Sequence, residues 1–118
     1  PAGVNPQVKL DVKTPAPPLP SHAVHHLKRV AQEAVTNAMK HGGARTITIG
    51  IAAEADELLL SITDDGTGFA VDQETRGKAG RFGCMGIRER CQKLGATVEW
   101  RSELRRGSTV TVRMPLKT

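Results

Sequence analysis

Six of the chain's 12 glycines fall between Gly66 and Gly86, and no other feature limits the possible folds as much. Glycine loses more freedom on ordering than any other residue and weakens an element interior by roughly 0.5–1 kcal/mol relative to alanine. No regular helix or strand spans such a stretch. The 118 residues are thus two patterned parts around an irregular middle. That length predicts a single domain over 1–118. With 38% hydrophobic and 25% charged residues, the chain has the composition of a globular unit rather than a disordered one.

Residues 1–20 hold six of the seven prolines. Within them Val8, Leu10 and Val12 alternate with polar residues, which predicts a short edge strand. Pro15 to Pro20 form a stiff connector that no helix crosses. Ser21 is the expected N-cap of a helix running to about His41 and stopped by Gly42-Gly43. At 100° per residue, Val24, Leu27, Ala31, Ala34 and Ala38 form its apolar stripe. Glu33, Asn37, Lys40 and His41 form a polar stripe beside it.

Two alternating strands follow. Ile47, Ile49 and Ile51 share one face of the first, and Leu58, Leu60 and Ile62 share one face of the second. The connector Ala53–Glu57 is short enough for an antiparallel hairpin. After the glycines, Cys84, Ile87, Cys91 and Leu94 space a second helix from about Gly83 to Leu94, ended by Gly95. Val98 and Trp100, then Val110, Val112 and Met114, mark two last strands around a turn at Arg105–Ser108. The order β-α-β-β-loop-α-β-β predicts a two-layer α/β sandwich: a mixed, mostly antiparallel sheet with helices on one face.

Several function classes drop out. No apolar run approaches the roughly 18 residues of a membrane helix. Cys84 and Cys91 sit seven apart on one helix, about 10 Å along its axis, too far to bridge. They read as core residues, and a reducing cytoplasm fits them. Charge is uneven: residues 1–75 carry six Lys/Arg against nine Asp/Glu, residues 76–118 eleven against three. A basic half suits nucleic acid, an anionic surface or a phosphorylated ligand. With Phe69, Phe82 and Trp100 as the only aromatics, base-stacking platforms are poorly supplied, and the balance leans to phosphate.

Three groups could carry chemistry. Glu33, Asn37, Lys40 and His41 set a carboxylate, an amide and cations on one helical face, a set suited to Mg²⁺ with a polyphosphate; an ordinary solvated face is the alternative. Asp64-Asp65-Gly66-Thr67-Gly68-Phe69 follows a strand whose end opens into glycines, where backbone can approach a ligand and a carboxylate can accept from an exocyclic amine; a plain Asp-Gly turn is the alternative. Gly80 to Arg90 leads glycines into a helix whose free N–H groups attract anions, without the Walker or dinucleotide spacing.

Taken in order, these groups resemble the boxes of sensor histidine kinases. Gln32–His41 is similar to the N box and Asp64–Phe69 to the first glycine box. Gly83–Arg90 is similar to the second glycine box of the subfamily that pairs with NarL-type response regulators. Arg106-Gly107-Ser108-Thr109 resembles the small-residue turn before the last strand. The likeness covers roughly residues 6–116 and implies the Bergerat ATP-binding fold of gyrase, heat-shock-90 chaperones and mismatch-repair ATPases. Departures are Cys84 for a usual Leu, Ile87 for a usual Met, and Arg81 for His or Gly.

The resemblance implies Mg-ATP as ligand. Asn37 would hold Mg²⁺ with Glu33, these two being the catalytic pair. Lys40 and His41 would approach the phosphates. Asp64 would bind the adenine amine, with Thr109 as a secondary contact. Gly66 and Gly68 would let the chain pass the base, residues 70–82 would form an ATP lid, and Gly83 and Gly86 would open the helix end facing the triphosphate. The γ-phosphate would go to a histidine on a separate dimerisation domain, with a response regulator as indirect partner. Neither nucleic acid nor membrane contact is expected of this domain, located in the cytoplasm or on the cytoplasmic side of a membrane-bound sensor. A serine kinase of the anti-sigma-factor type and a nucleotide-binding module without transfer are the alternatives.

Overall fold

The computed structural model describes residues 6–39, 43–66, 84–103 and 107–116. Strand β1 (Gln7–Val12) leads through the proline connector to helix α1 (Ser21–Asn37). Strands β2 (Thr46–Glu54) and β3 (Glu57–Asp64) follow, then helix α2 (Cys84–Leu94) and strands β4 (Thr97–Glu103) and β5 (Gly107–Pro115). The five strands make one sheet in the order β1-β2-β3-β5-β4. Only the β1–β2 pair in it is parallel. The mixed two-layer sandwich expected from the sequence is therefore the fold.

Period-two alternation decides which face the helices cover. Ile47, Leu58, Leu60, Ile62, Val110, Val112 and Met114 point to one side and are buried. Their partners on that side are Val30 and Ile87, among the most deeply enclosed side chains. Burying a side chain of this size contributes about 1.5–3 kcal/mol. Cys91 is also in this core, where desolvation pushes its thiol up to about 11. It is a packing residue, as its spacing implied. The β2–β3 hairpin closes on Ala55-Asp56, both with positive φ (51° and 62°), as in the two-residue turns that match strand twist.

Two expectations for α1 need correction. Ser21 is not the cap: Pro20 is, its carbonyl accepting from the N–H groups of Ala23 and Val24 at 3.0 and 3.1 Å, with no side-chain cap bond. The proline's restricted φ, −57° here, pre-sets that carbonyl. The apolar stripe is also rotated, with Ala23, Leu27, Val30, Ala34 and Ala38 buried. Val24 is 36% exposed and Ala31 only partly buried. Both line a cavity of about 200 Å³ toward the β1 edge, with Leu19, Ile49 and Ile51. The sheet is open there, since Val8, Leu10 and Val12 are all exposed. The helix turns its best-packing residues toward β3 and α2 instead.

Gly95 ends α2 at φ 65°, with Ala96 N–H returning to the Cys91 carbonyl at 2.8 Å. Across the layer, the Arg88 guanidinium lies 4.7 Å from the Trp100 ring centre, a cation–π contact that couples α2 to β4.

Candidate functional site

Asp64 ends β3 on the face its strand shares with Leu60 and Ile62, beneath the helices. Its carboxylate is held from two sides. Gly66 N–H donates to Oδ1 at 2.8 Å, an Asx turn that bends the chain directly after the strand. Ser108 Oγ donates to Oδ2 at 2.6 Å, within the short range of charge-assisted O–H···O⁻ bonds. Each oxygen keeps acceptor capacity for a further donor. Gly107 makes this approach possible. At φ 95°, a Cβ there would run into the Asp64 carbonyl oxygen and stand 3.1 Å from Asp65 Cα.

The neighbouring Asp65 has a different task. Its Oδ1 accepts from the backbone N–H groups of Arg45 and Thr46 at 2.8 and 2.9 Å. Those two bonds, Thr46 first, hold its carboxyl below the usual carboxylate range. Asp65 ties the start of β2 to the end of β3, and so fixes the loop that carries Asp64.

Thr109 lies away from this carboxylate. Its hydroxyl donates to Thr63 Oγ1 at 3.2 Å, and both threonines alternate onto the face away from the helices. Ser108, by contrast, pairs directly with Asp64 across β3 and β5. The alternation Val110, Val112, Met114 already puts Ser108, and not Thr109, in phase with the helix-covered face. A shallow cavity of about 290 Å³ at these strand ends is lined by Thr63, Asp64, Arg101, Ser108 and Thr109 among others, so the rim is polar.

The second cluster is built between the helices. Glu33 lies on α1 against α2, where a Cβ on Gly86 would be 2.8 Å from its Oε1. Glycine at 86 leaves the carboxylate its space. Arg90, one turn further along α2, places Nε 3.5 Å from Oε2, and the two side chains are only 23% and 28% exposed. That is an ion pair, but its geometry is not that of a hydrogen bond, and among the described residues Oε2 is buried without a hydrogen-bond partner. Such an atom is costly unless something else donates to it or binds it. Asn37, half-buried at the end of α1, follows Glu33 by one turn. Among the described residues no group of three His, Cys, Asp or Glu side chains converges on a metal position. A buried carboxylate oxygen with a nearby amide does fit a hard divalent cation that keeps most of its shell as water and phosphate.

Arg90 also reaches His26 on α1, Nη1 to Nδ1 at 3.2 Å. Desolvation first, then the Arg90 charge, lower the pKa of this imidazole from its ordinary value. Arg90 and Ser108 both lie in motif stretches, Gly83–Arg90 and Arg106–Thr109, but neither takes a role of its own from the sequence. Arg90 carries no signal of its own there, because a cation on a helix usually faces solvent. Lys40, His41, Gly68, Gly83, Arg81 and the lid assigned to 70–82 lie outside the described residues, as does the Cys84 side chain.

The family model for histidine kinase-, DNA gyrase B-, and HSP90-like ATPases matches residues 22–118. The chain is 36% identical over 90 residues to the signal transduction histidine-protein kinase/phosphatase DegS of Bacillus subtilis, covering 76% of this chain and 23% of that protein. It is 34% identical over 98 residues to the sensor protein VraS of Staphylococcus haemolyticus, covering 83% and 27%. The chain thus spans about a quarter of the length of these relatives. The histidine kinase domain of a blue-light activated kinase from Erythrobacter litoralis has the same fold. Its TM-score is 0.78 at 20% identity, covering 97% of this chain and 52% of that one.

Proposed function

The chain belongs to the histidine kinase-, DNA gyrase B-, and HSP90-like ATPase family, and from that membership we propose that it binds Mg-ATP and presents the γ-phosphate to a histidine on a separate dimerisation domain. The observation that carries this is the Asp64 carboxylate, fixed by Gly66 N–H and Ser108 Oγ at a strand end. A carboxylate so oriented can accept from the adenine amine through its remaining lone pairs. Gly66 and Gly68 leave room for the base, and Ser108 takes the secondary contact in place of Thr109.

Asn37 and Glu33 are assigned to the metal side. The buried, unbonded Glu33 Oε2 supports that assignment, and Mg²⁺ bound there would neutralise charge on the phosphates. Lys40 and His41 are assigned to the phosphates, Gly83 and Gly86 to the helix end that faces them, and 70–82 to a lid. Phosphoryl transfer depends mainly on positioning and charge stabilisation. The acceptor nitrogen attacks Pγ in line, the bond from Pγ to the bridging oxygen breaks, and ADP leaves with that oxygen. The acceptor's proton goes to a base beside it.

Arg88-Glu89-Arg90 favours a histidine kinase over a serine kinase of the anti-sigma-factor type, and the whole box Gly83–Arg90 supports pairing with a NarL-type response regulator, which would receive the phosphate in turn. No described helix is long and apolar enough to cross a membrane. We place the domain in the cytoplasm, without nucleic-acid or membrane contact of its own.

Thermal melting tests the binding step. A ligand at a hundredfold excess over Kd adds about 2.7 kcal/mol to the folded state, so Mg-ATP raises the melting temperature by several degrees. An unchanged melting curve at millimolar Mg-ATP defeats the proposal.

A further inference from the structure

Arg90 lies between two residues of α1 that share one face. His26 and Glu33 are seven positions apart, two helical turns or about 10 Å along the axis. The guanidinium spans them, Nη1 at 3.2 Å from His26 Nδ1 and Nε at 3.5 Å from Glu33 Oε2. Arginine has five donors and no acceptor, so the His26 nitrogen facing it accepts, and the imidazole in this contact is neutral. On α2, Gly86 and Arg90 are one turn apart and face Glu33 together. Gly86 leaves space at Oε1, and Arg90 sets the charge at Oε2.

We infer that Arg90 is the positioning residue for Glu33, itself anchored by His26. The pair is half-desolvated, so the attraction is stronger than at a free surface. Arg90 neutralises and orients the carboxylate without donating a hydrogen bond to it, and among the described residues Oε2 remains an open acceptor. A carboxylate that must engage a metal-bound water or the metal itself needs both properties. The planar fork presents separate nitrogens to the two partners, where a lysine ammonium is a single compact point of charge. This inference rests on the reading of Glu33 as a metal-side residue.

The test is titration of the chain with ATP, with and without Mg²⁺, for wild type, Arg90→Ala, Arg90→Lys, Glu33→Gln, His26→Ala and the Arg90→Ala/Glu33→Gln double variant. Amide spectra confirm that each variant is folded. The magnesium-dependent gain in affinity falls at least fivefold in Arg90→Ala, while affinity without magnesium stays within twofold. Lysine at 90 restores part of the gain. His26→Ala costs two- to threefold. The double variant loses no more than the worse single one, the non-additivity of residues that act as a unit. A gain unchanged or increased in Arg90→Ala, or additive losses in the double variant, overturns the inference. A nucleotide-free arm separates it from the reading of the site. The Arg90 Nε–H resonance shifts on Glu33→Gln and on His26→Ala. If those shifts occur while wild type shows no magnesium-dependent gain, the metal-side reading fails and Arg90 keeps only a structural role. If the shifts are absent, the positioning claim fails whatever the nucleotide does.

Discussion

Ser108 Oγ donates to Asp64 Oδ2 at 2.6 Å, across a β3–β5 pairing that sets the two residues directly opposite each other. The bond fixes the second oxygen of a carboxylate whose first oxygen is held by Gly66 N–H. Losing one hydrogen bond to a charged group costs about 1.5–3 kcal/mol. Ser108→Ala should therefore weaken ATP binding by about 10-fold, and Asp64→Asn by at least as much. Thr109→Val, on the opposite face, should leave binding unchanged. Calorimetric titration decides: equal losses at 108 and 109 would falsify the assignment of Asp64 and Ser108 to the adenine end.

Asn37 lies one turn after Glu33 and is assigned to the metal. Asn37→Ala should weaken ATP binding by about 10-fold with Mg²⁺ present and hardly at all in EDTA, the loss of one ligand to a divalent cation that has few protein ligands. The same loss in both buffers would place Asn37 on the nucleotide and remove it from the metal.

Much of this arrangement was legible in the chain. The β-strands follow from plain alternation, such as Leu58, Leu60 and Ile62 on one face, because one buried face forces a period of two. The two helix faces were harder. Val24 and Val30 are equally apolar, and only the open β1 edge decides that Val30 is buried and Val24 is not. Ser21 looked like a cap by residue type, but Pro20 supplied the carbonyl. At the site, Asp64 was visible from its strand-end position. The division of labour between Asp64 and Asp65 was not, since it depends on which carboxylate meets the Arg45 and Thr46 N–H groups twenty residues away. Arg90 closes the second glycine box, but its role is not legible there for the same reason, as its partners lie on another helix.

Gly86 separates stability from function. An alanine Cβ there would be 2.8 Å from Glu33 Oε1, the mobile end of a side chain that can swing aside. Alanine also favours helix over glycine by up to about 1 kcal/mol. Gly86→Ala should therefore melt at or slightly above the wild-type temperature, yet lose most of the magnesium-dependent gain in ATP affinity. A variant that melts lower and binds normally would show that the glycine serves packing only.

Acid should destabilise the fold in two steps. The pKa of His26 is lowered in the folded state, so the unfolded chain takes up its proton first. Stability falls as pH drops below about 6.5. The Asp65 carboxyl is also held low. Its contribution is complete above about pH 4 and is lost as pH falls through the folded value. His26→Gln should flatten the melting temperature between pH 7 and 5. Asp65→Asn, which keeps an oxygen for both N–H groups but not the charge, should remove the step below pH 4 and melt lower at pH 7 by about what the wild type loses in acid. An unchanged slope in either variant refutes its half of the account.

Incubated alone with γ-labelled ATP and Mg²⁺, the chain should not label itself on histidine. In the sensor kinases it resembles, the acceptor lies on a separate dimerisation helix and is followed by an acidic residue that can take its proton. His22, His25, His26 and His41 are followed by Ala23, His26, Leu27 and Gly42, so no acidic residue follows any of them. The first three lie in the opening turns of α1. His26 has its Nδ1 committed to Arg90, and its ring lies edge-on to His25 at 5.3 Å between centroids. His41 belongs to the stripe assigned to the phosphates, better placed to hold them than to attack. Acid-labile label should appear only when a dimerisation fragment with its own histidine is added, and should then reside on that fragment. Stoichiometric label on this chain alone would return the acceptor to His22 or His25 and make the domain its own substrate.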